Sequence, residues 1–168
     1  KPSNDTEEDL IHHDDESYTV KEALSTSSFW LLTMATGLRI LVTSGVSLHL
    51  VPFFVDLGIS PVAAAGFAGS VGIMSIPGRF GLSTIGDYIN KRYILVICMF
   101  FLSLGVFLLS IMDSLTGVIL ALILYSSSQG GSAVIPNALM ADYFGIKHYG
   151  TIMGFRSILV TFGVIAGP

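Results

Sequence analysis

Past its first two dozen residues the chain is written in long, mainly apolar runs separated by short polar breaks. The runs extend approximately from Phe29 to Val55, Val62 to Ile85, Tyr93 to Met112, Leu115 to Phe144 and Tyr149 to Pro168. A helix needs about 20 residues to cross a hydrocarbon core of about 30 Å. The pattern therefore predicts about five membrane-spanning helices, the last cut off near its far end. Ahead of them, residues 1–22 hold few large apolar side chains and many acids, which predicts a solvated, disordered linker. Val20 to Ser28 reads as a short amphipathic lead-in at the membrane surface, with Trp30 as an interfacial anchor. The predicted class is all-α: a polytopic membrane helix bundle over residues 23–168 behind an acidic linker over 1–22.

Composition supports this division. The chain is 52% hydrophobic and 12% charged, with a mean hydropathy of +0.75, far from the roughly one-quarter charged content of a soluble domain. The net charge of −4 describes the leading segment, since Asp5, Glu7, Glu8, Asp9, Asp14, Asp15, Glu16 and Glu22 precede the first apolar run. The remainder of the chain is slightly basic, too sparsely charged for a nucleic-acid surface, and has no Gly-rich phosphate loop, so nucleic acid is excluded as a partner. Cys98 is the single cysteine, which leaves no disulfide framework and no cysteine metal cluster. It reads as a small apolar helix residue. His12 and His13 fit a solvated segment better than a metal site. The acidic, non-Met start contains no secretory signal, and the chain reads as a piece of a longer polypeptide that begins inside a polar connection.

The eight Lys and Arg residues orient the bundle. Lys1 and Lys21 precede the first run, Lys91 and Arg92 lie between the second and third, and Lys147 lies between the fourth and fifth. The opposite breaks, around Asp56 and Asp113, have no basic residue. The linker and both basic breaks are therefore expected on the cytoplasmic side of an integral membrane protein, with the first helix running outward.

The candidate chemistry lies in the charges left inside the runs, because an intramembrane charge is expensive and usually functional. Arg39 falls about 15 Å along its helix from Phe29, near the bilayer centre, and Arg79 about 12 Å before Asp87. Two cations at similar depth, with no acid in any run except Asp142 at the very end of the fourth, predict a positive patch in a water-filled cavity that attracts an anion. Arg156, only about 9 Å into its run, is expected to snorkel to the surface. His49, in the segment HLVP, is a candidate for accompanying a proton. Tyr125, Ser126, Ser127, Ser128, Gln129 and Asn137 make the middle of the fourth run polar and suited to hydrogen bonding a substrate. Gly66, Gly69, Gly72, Pro77, Gly78, Gly130, Gly131 and Pro136 are expected to permit close packing and kinks. No H-E-x-x-H, no G-x-S-x-G and no paired intramembrane carboxylates occur, so no catalytic residue, metal or cofactor is assigned.

The segment PGRFGLSTIGDYINKR resembles the eighth-helix signature of the major facilitator superfamily, R-x-x-x-G-x-x-x-D-x-x-x-x-[KR], mapped onto Arg79, Asp87 and Arg92 with Ser83 in place of the usual glycine. PNALMADYFGIKHYGTIMGF and a G-x-x-x-G-P at Gly163, Gly167 and Pro168 are also similar to that family, and EALSTSSFWLLT resembles its junction between central linker and seventh helix. The resemblance implies helices seven to eleven of a twelve-helix fold made of inverted three-helix repeats. The N-terminal half of the polypeptide is then a missing partner, and substrate binds near the midplane. HLVPFFVDLGIS with GRFGLSTIGD is most similar to the monocarboxylate and oxalate/formate branch. That similarity implies that Arg79 binds a carboxylate, that Asp87, Lys91 and Arg92 belong to a cytoplasmic gate, and that Ser75 stands where proton-coupled members carry an acid.

The leading expectation is a secondary transporter of a small organic anion such as a monocarboxylate, in the plasma (inner) membrane. Substrate contacts are expected from Arg79, Arg39, Tyr125, Gln129 and Asn137, with a coupling proton at His49. The competing expectations are an exporter of drugs or amphipathic metabolites and a non-transporting receptor or assembly scaffold.

Overall fold

The computed structural model describes residues 18–112 and 114–166, with only the backbone of residues 83, 87, 163, 164 and 166. Six helices succeed one another: α1 (Val20–Ser25), α2 (Ser27–Asp56), α3 (Pro61–Tyr88), α4 (Lys91–Ile111), α5 (Leu115–Phe144) and α6 (Tyr149–Ala166). No strand occurs among the described residues. The expected all-α bundle is present, and its helix limits fall within a few residues of the apolar runs. Helices α2, α3, α4 and α5 are long and apolar enough to cross a membrane; α6 is described over 18 residues. His12, His13, Gly167 and Pro168 lie outside the described residues.

The breaks have local causes. Thr19 caps α1 in a reciprocal box: its hydroxyl accepts from the Glu22 amide at 3.4 Å, while its own amide donates to Glu22 Oε2 at 2.8 Å. Thr26 is extended and ends α1 after one and a half turns. The lead-in is therefore two pieces with a bend between them, and the Trp30 indole spans the bend by donating to the Leu24 carbonyl at 2.9 Å. Gly58, at φ 83°, turns the chain after α2, and Pro61 at the first position of α3 needs no amide partner there. Ser60, Asn90 and Ser114 cap α3, α4 and α5 through their side chains. Gly145, at φ 74°, closes α5.

Helix α5 is the hub, packing chiefly along α3 and α4, while α2 packs chiefly on α6 and α3. Leu50 and Phe54 of α2, Ala64 of α3, Leu102 and Leu109 of α4 and Leu122 of α5 form one buried cluster. Phe29, Met140, Phe144 and Ile152 gather with Ala23 into another. The α3–α5 crossing is close because glycines face carbonyls from both sides. A Cβ on Gly78 would collide with the Ser127 carbonyl, and one on Gly130 with the Ser75 carbonyl. Outward, Leu31, Ile73, Phe80, Val96 and Phe107 are exposed apolar side chains, a surface that suits hydrocarbon and not water.

Candidate functional site

The α3–α5 crossing sets the site. Tyr125 and Gln129 are four residues apart on α5 and share a face, and the backbone contact at Gly130 brings Ser75 and Arg79 of α3 beside them. Arg39 of α2 completes the ring. These side chains line one cavity of about 470 Å³, together with Ser47 and a mainly apolar remainder. No Asp or Glu occurs among its lining residues within the described part of the chain.

Two polar atoms here are buried without a hydrogen-bond partner among the described residues: the Tyr125 hydroxyl and Arg39 Nε. Tyr125 is only 1% exposed, and an unsatisfied buried donor costs about 1–3 kcal/mol. Its neighbour Ser126 is engaged within α5, donating to the Leu122 carbonyl at 2.6 Å. Ser75, likewise, donates to the Gly72 carbonyl at 2.7 Å. The cavity is therefore lined by two arginines, with the Tyr125 hydroxyl buried and unpaired in its wall, an arrangement that can take a small anion with oxygen acceptors.

Other residues expected in the site lie elsewhere. Asn137 does not line this cavity. It is two turns beyond Gln129, where α6 crosses, and its Oδ1 accepts from Arg156 Nη1 at 2.7 Å. Arg156 does not snorkel. It is 4% exposed, and its Nη2 donates to Thr36 Oγ1 at 2.7 Å, joining α6 to α2. Two neutral acceptors at hydrogen-bond distance hold it inside. His49 is exposed and lines a separate, mainly apolar cavity of about 190 Å³ with Phe53 and Leu109.

The basic end of the bundle is also organised. Lys91 Nζ lies 2.7 Å from Asp142 Oδ2. The Arg92 guanidinium sits 4.7 Å from the centre of the Tyr143 ring and hydrogen bonds its hydroxyl. Both partners belong to α5, so Lys91 and Arg92 tie the start of α4 to the end of α5 within this bundle. The side chains of Asp87 and Ser83 lie outside the described residues. Asp142 and Tyr143 were missed in sequence because nothing local signals a partner 51 residues away. The only hint is that an acid and an aromatic end α5 just before the Gly145 stop.

The chain matches the family model described as Major Facilitator Superfamily over residues 1–168. It belongs to that superfamily and is a membrane transport protein in general class.

Proposed function

We propose that this chain of the major facilitator superfamily moves a small organic anion, of the monocarboxylate class, by alternating access. The observation that carries the reading is the meeting of Arg39 and Arg79, from two helices, around one cavity of about 470 Å³ with no carboxylate among the described residues that line it. Uncompensated cations in a low-dielectric site are costly. A bound carboxylate offsets that cost and is held in return.

In this reading Arg79 grips the carboxylate with its planar fork. Arg39 supplies the second cation, and the Tyr125 hydroxyl and Gln129 amide orient the rest of the anion. Gly78 and Gly130 keep α3 and α5 in register, so the anion's contacts on these helices move as one body when the bundle rocks against the opposite half of the protein. The basic end is assigned to the cytoplasmic side and the chain to the plasma membrane. Lys91 and Arg92, engaged with Asp142 and Tyr143, fix the α3–α4 turn at the cytoplasmic gate and leave gating contacts across the bundles to Asp87. His49 is given no contact with the anion, and Ser75 carries no proton for it.

The test is uptake of radiolabelled mono- and dicarboxylates by the full-length protein in proteoliposomes, with and without a pH gradient, beside Arg79→Gln. Saturable uptake lost in the variant supports the reading. Uptake untouched by the variant favours an exporter of amphipathic molecules, and absence of any uptake favours a scaffold.

A further inference from the structure

The central cavity is not uniform along the bundle. Helices α2 and α3 are joined by the short turn over residues 57–60 and run in opposite directions, so depth can be compared between them. Arg39 precedes Leu50 by eleven residues, and Ala68 precedes Arg79 by eleven. Each interval is about 16 Å of helix, and both read the same way: the arginines stand toward the basic end of the bundle, Leu50 and Ala68 toward the opposite end. Gln129 stands near the level of Arg79, because the adjacent Gly130 packs against the backbone of Ser75 and Arg79. The far wall is formed by Val46, Leu50, Ala68 and Val71, with Ser47 as its polar exception. Leu50 belongs to a buried cluster that also holds Tyr125, and Val46, Ala68 and Val71 pack against that cluster while only partly buried themselves. This wall is therefore backed by core side chains and still presents apolar surface to the cavity.

We propose that the preferred substrate is an aliphatic monocarboxylate with a tail of several methylenes, its carboxylate between Arg39 and Arg79 and its tail along Val46, Leu50, Ala68 and Val71. The inference rests on the anion-carrier reading above and narrows it. Each methylene laid on the far wall should tighten binding about 3- to 4-fold. A second carboxylate at the tail's far end would lose its hydration there and meet no cation among the described residues of that wall. The four apolar residues thus set chain length, and the lack of charge beside them selects against dicarboxylates.

The experiment is uptake of radiolabelled propionate by the full-length protein in proteoliposomes, in competition with unlabelled butyrate, hexanoate, adipate and hexylammonium. The inhibition constant should fall about 3- to 4-fold per methylene from butyrate to hexanoate. Adipate should be about 10-fold or more weaker than hexanoate, and hexylammonium should not compete. Val71→Thr keeps the side-chain volume but puts a hydroxyl in the wall, and should flatten the dependence on length. Ala68→Leu fills the wall and should shift the preference to shorter acids. Both effects are read as ratios between acids on one variant, which a change in folded fraction does not move. Arg79-dependent propionate uptake inhibited equally by butyrate, hexanoate and adipate overturns this inference while the transport reading stands. A length dependence unchanged in Val71→Thr and Ala68→Leu also overturns it, since the tail then lies elsewhere. Absence of uptake of any acid overturns the transport reading itself, and the substrate class with it.

Discussion

Arg156 on α6 and Thr36 on α2 stand 120 residues apart in sequence and are joined by a 2.7 Å hydrogen bond inside the bundle. The bond places a cation one turn from Arg39 on the same helix, since Thr36 and Arg39 are three residues apart. It thereby links the α2–α6 contact to the wall of the central cavity.

Breaking this link should be costly. Arg156→Leu leaves Thr36 and Asn137 without their donor, and we expect a loss of about 2–3 kcal/mol in unfolding free energy. Arg156→Lys should recover less than half of it, because an ammonium cannot present two planar donors to acceptors on two different helices. Denaturant midpoints of the purified protein check both.

Tyr125→Phe separates binding from folding. Its hydroxyl has no partner among the described residues, so removing it should leave stability unchanged or slightly raised while weakening the proposed anion uptake about 5- to 10-fold. A large fall in thermal stability with unchanged KM would show that the hydroxyl serves the fold.

The glycines of the α3–α5 crossing should differ sharply from those facing outward. Gly78→Ala and Gly130→Ala force a Cβ onto a backbone carbonyl and should cost about 1–3 kcal/mol, with loss of uptake. Gly66→Ala and Gly69→Ala meet nothing within 4 Å and should be neutral. Unfolding midpoints of the four variants decide it.

The Lys91–Asp142 pair is half exposed, at 26% and 47%. A double-mutant cycle with Lys91→Ala and Asp142→Ala should therefore give a coupling below about 1 kcal/mol that shrinks further with added salt. A coupling of several kcal/mol would mean that the pair is far less hydrated than its exposure indicates.

At the start of α1, hydrogen bonds from the Thr19 amide and hydroxyl hold the Glu22 carboxyl below its usual value of 4.5. A carboxyl whose folded value is depressed stabilises the fold fully above its unfolded value and loses that contribution as pH falls through the folded one. The α1 cap should thus be intact at neutral pH and released below about pH 4.5. Trp30, tied to the Leu24 carbonyl at the end of α1, should report the release as a change in fluorescence on acidification, and Glu22→Gln should flatten that titration.

The apolar runs alone determined that the chain is a bundle of membrane helices, and they placed the helix limits closely. Hydrocarbon imposes one length and one composition on any helix that crosses it, so each limit is a local property. Arg39 and Arg79 were identifiable for the same reason, since a charge in an apolar run stands out without any knowledge of its neighbours. What they face was not readable. Their meeting around one cavity depends on helix rotation and crossing, which the α3–α5 contacts at Gly78 and Gly130 decide. The same dependence removed Asn137 from the central cavity and turned Arg156 from a surface residue into an interhelical bond. Whether a long side chain snorkels or stays inside is settled by acceptors on other helices, and Thr36 lies 120 residues away in the sequence. Depth along a helix comes from counting residues; partnership across helices comes only from packing, where the hydrogen bonds that compensate a buried charge are made.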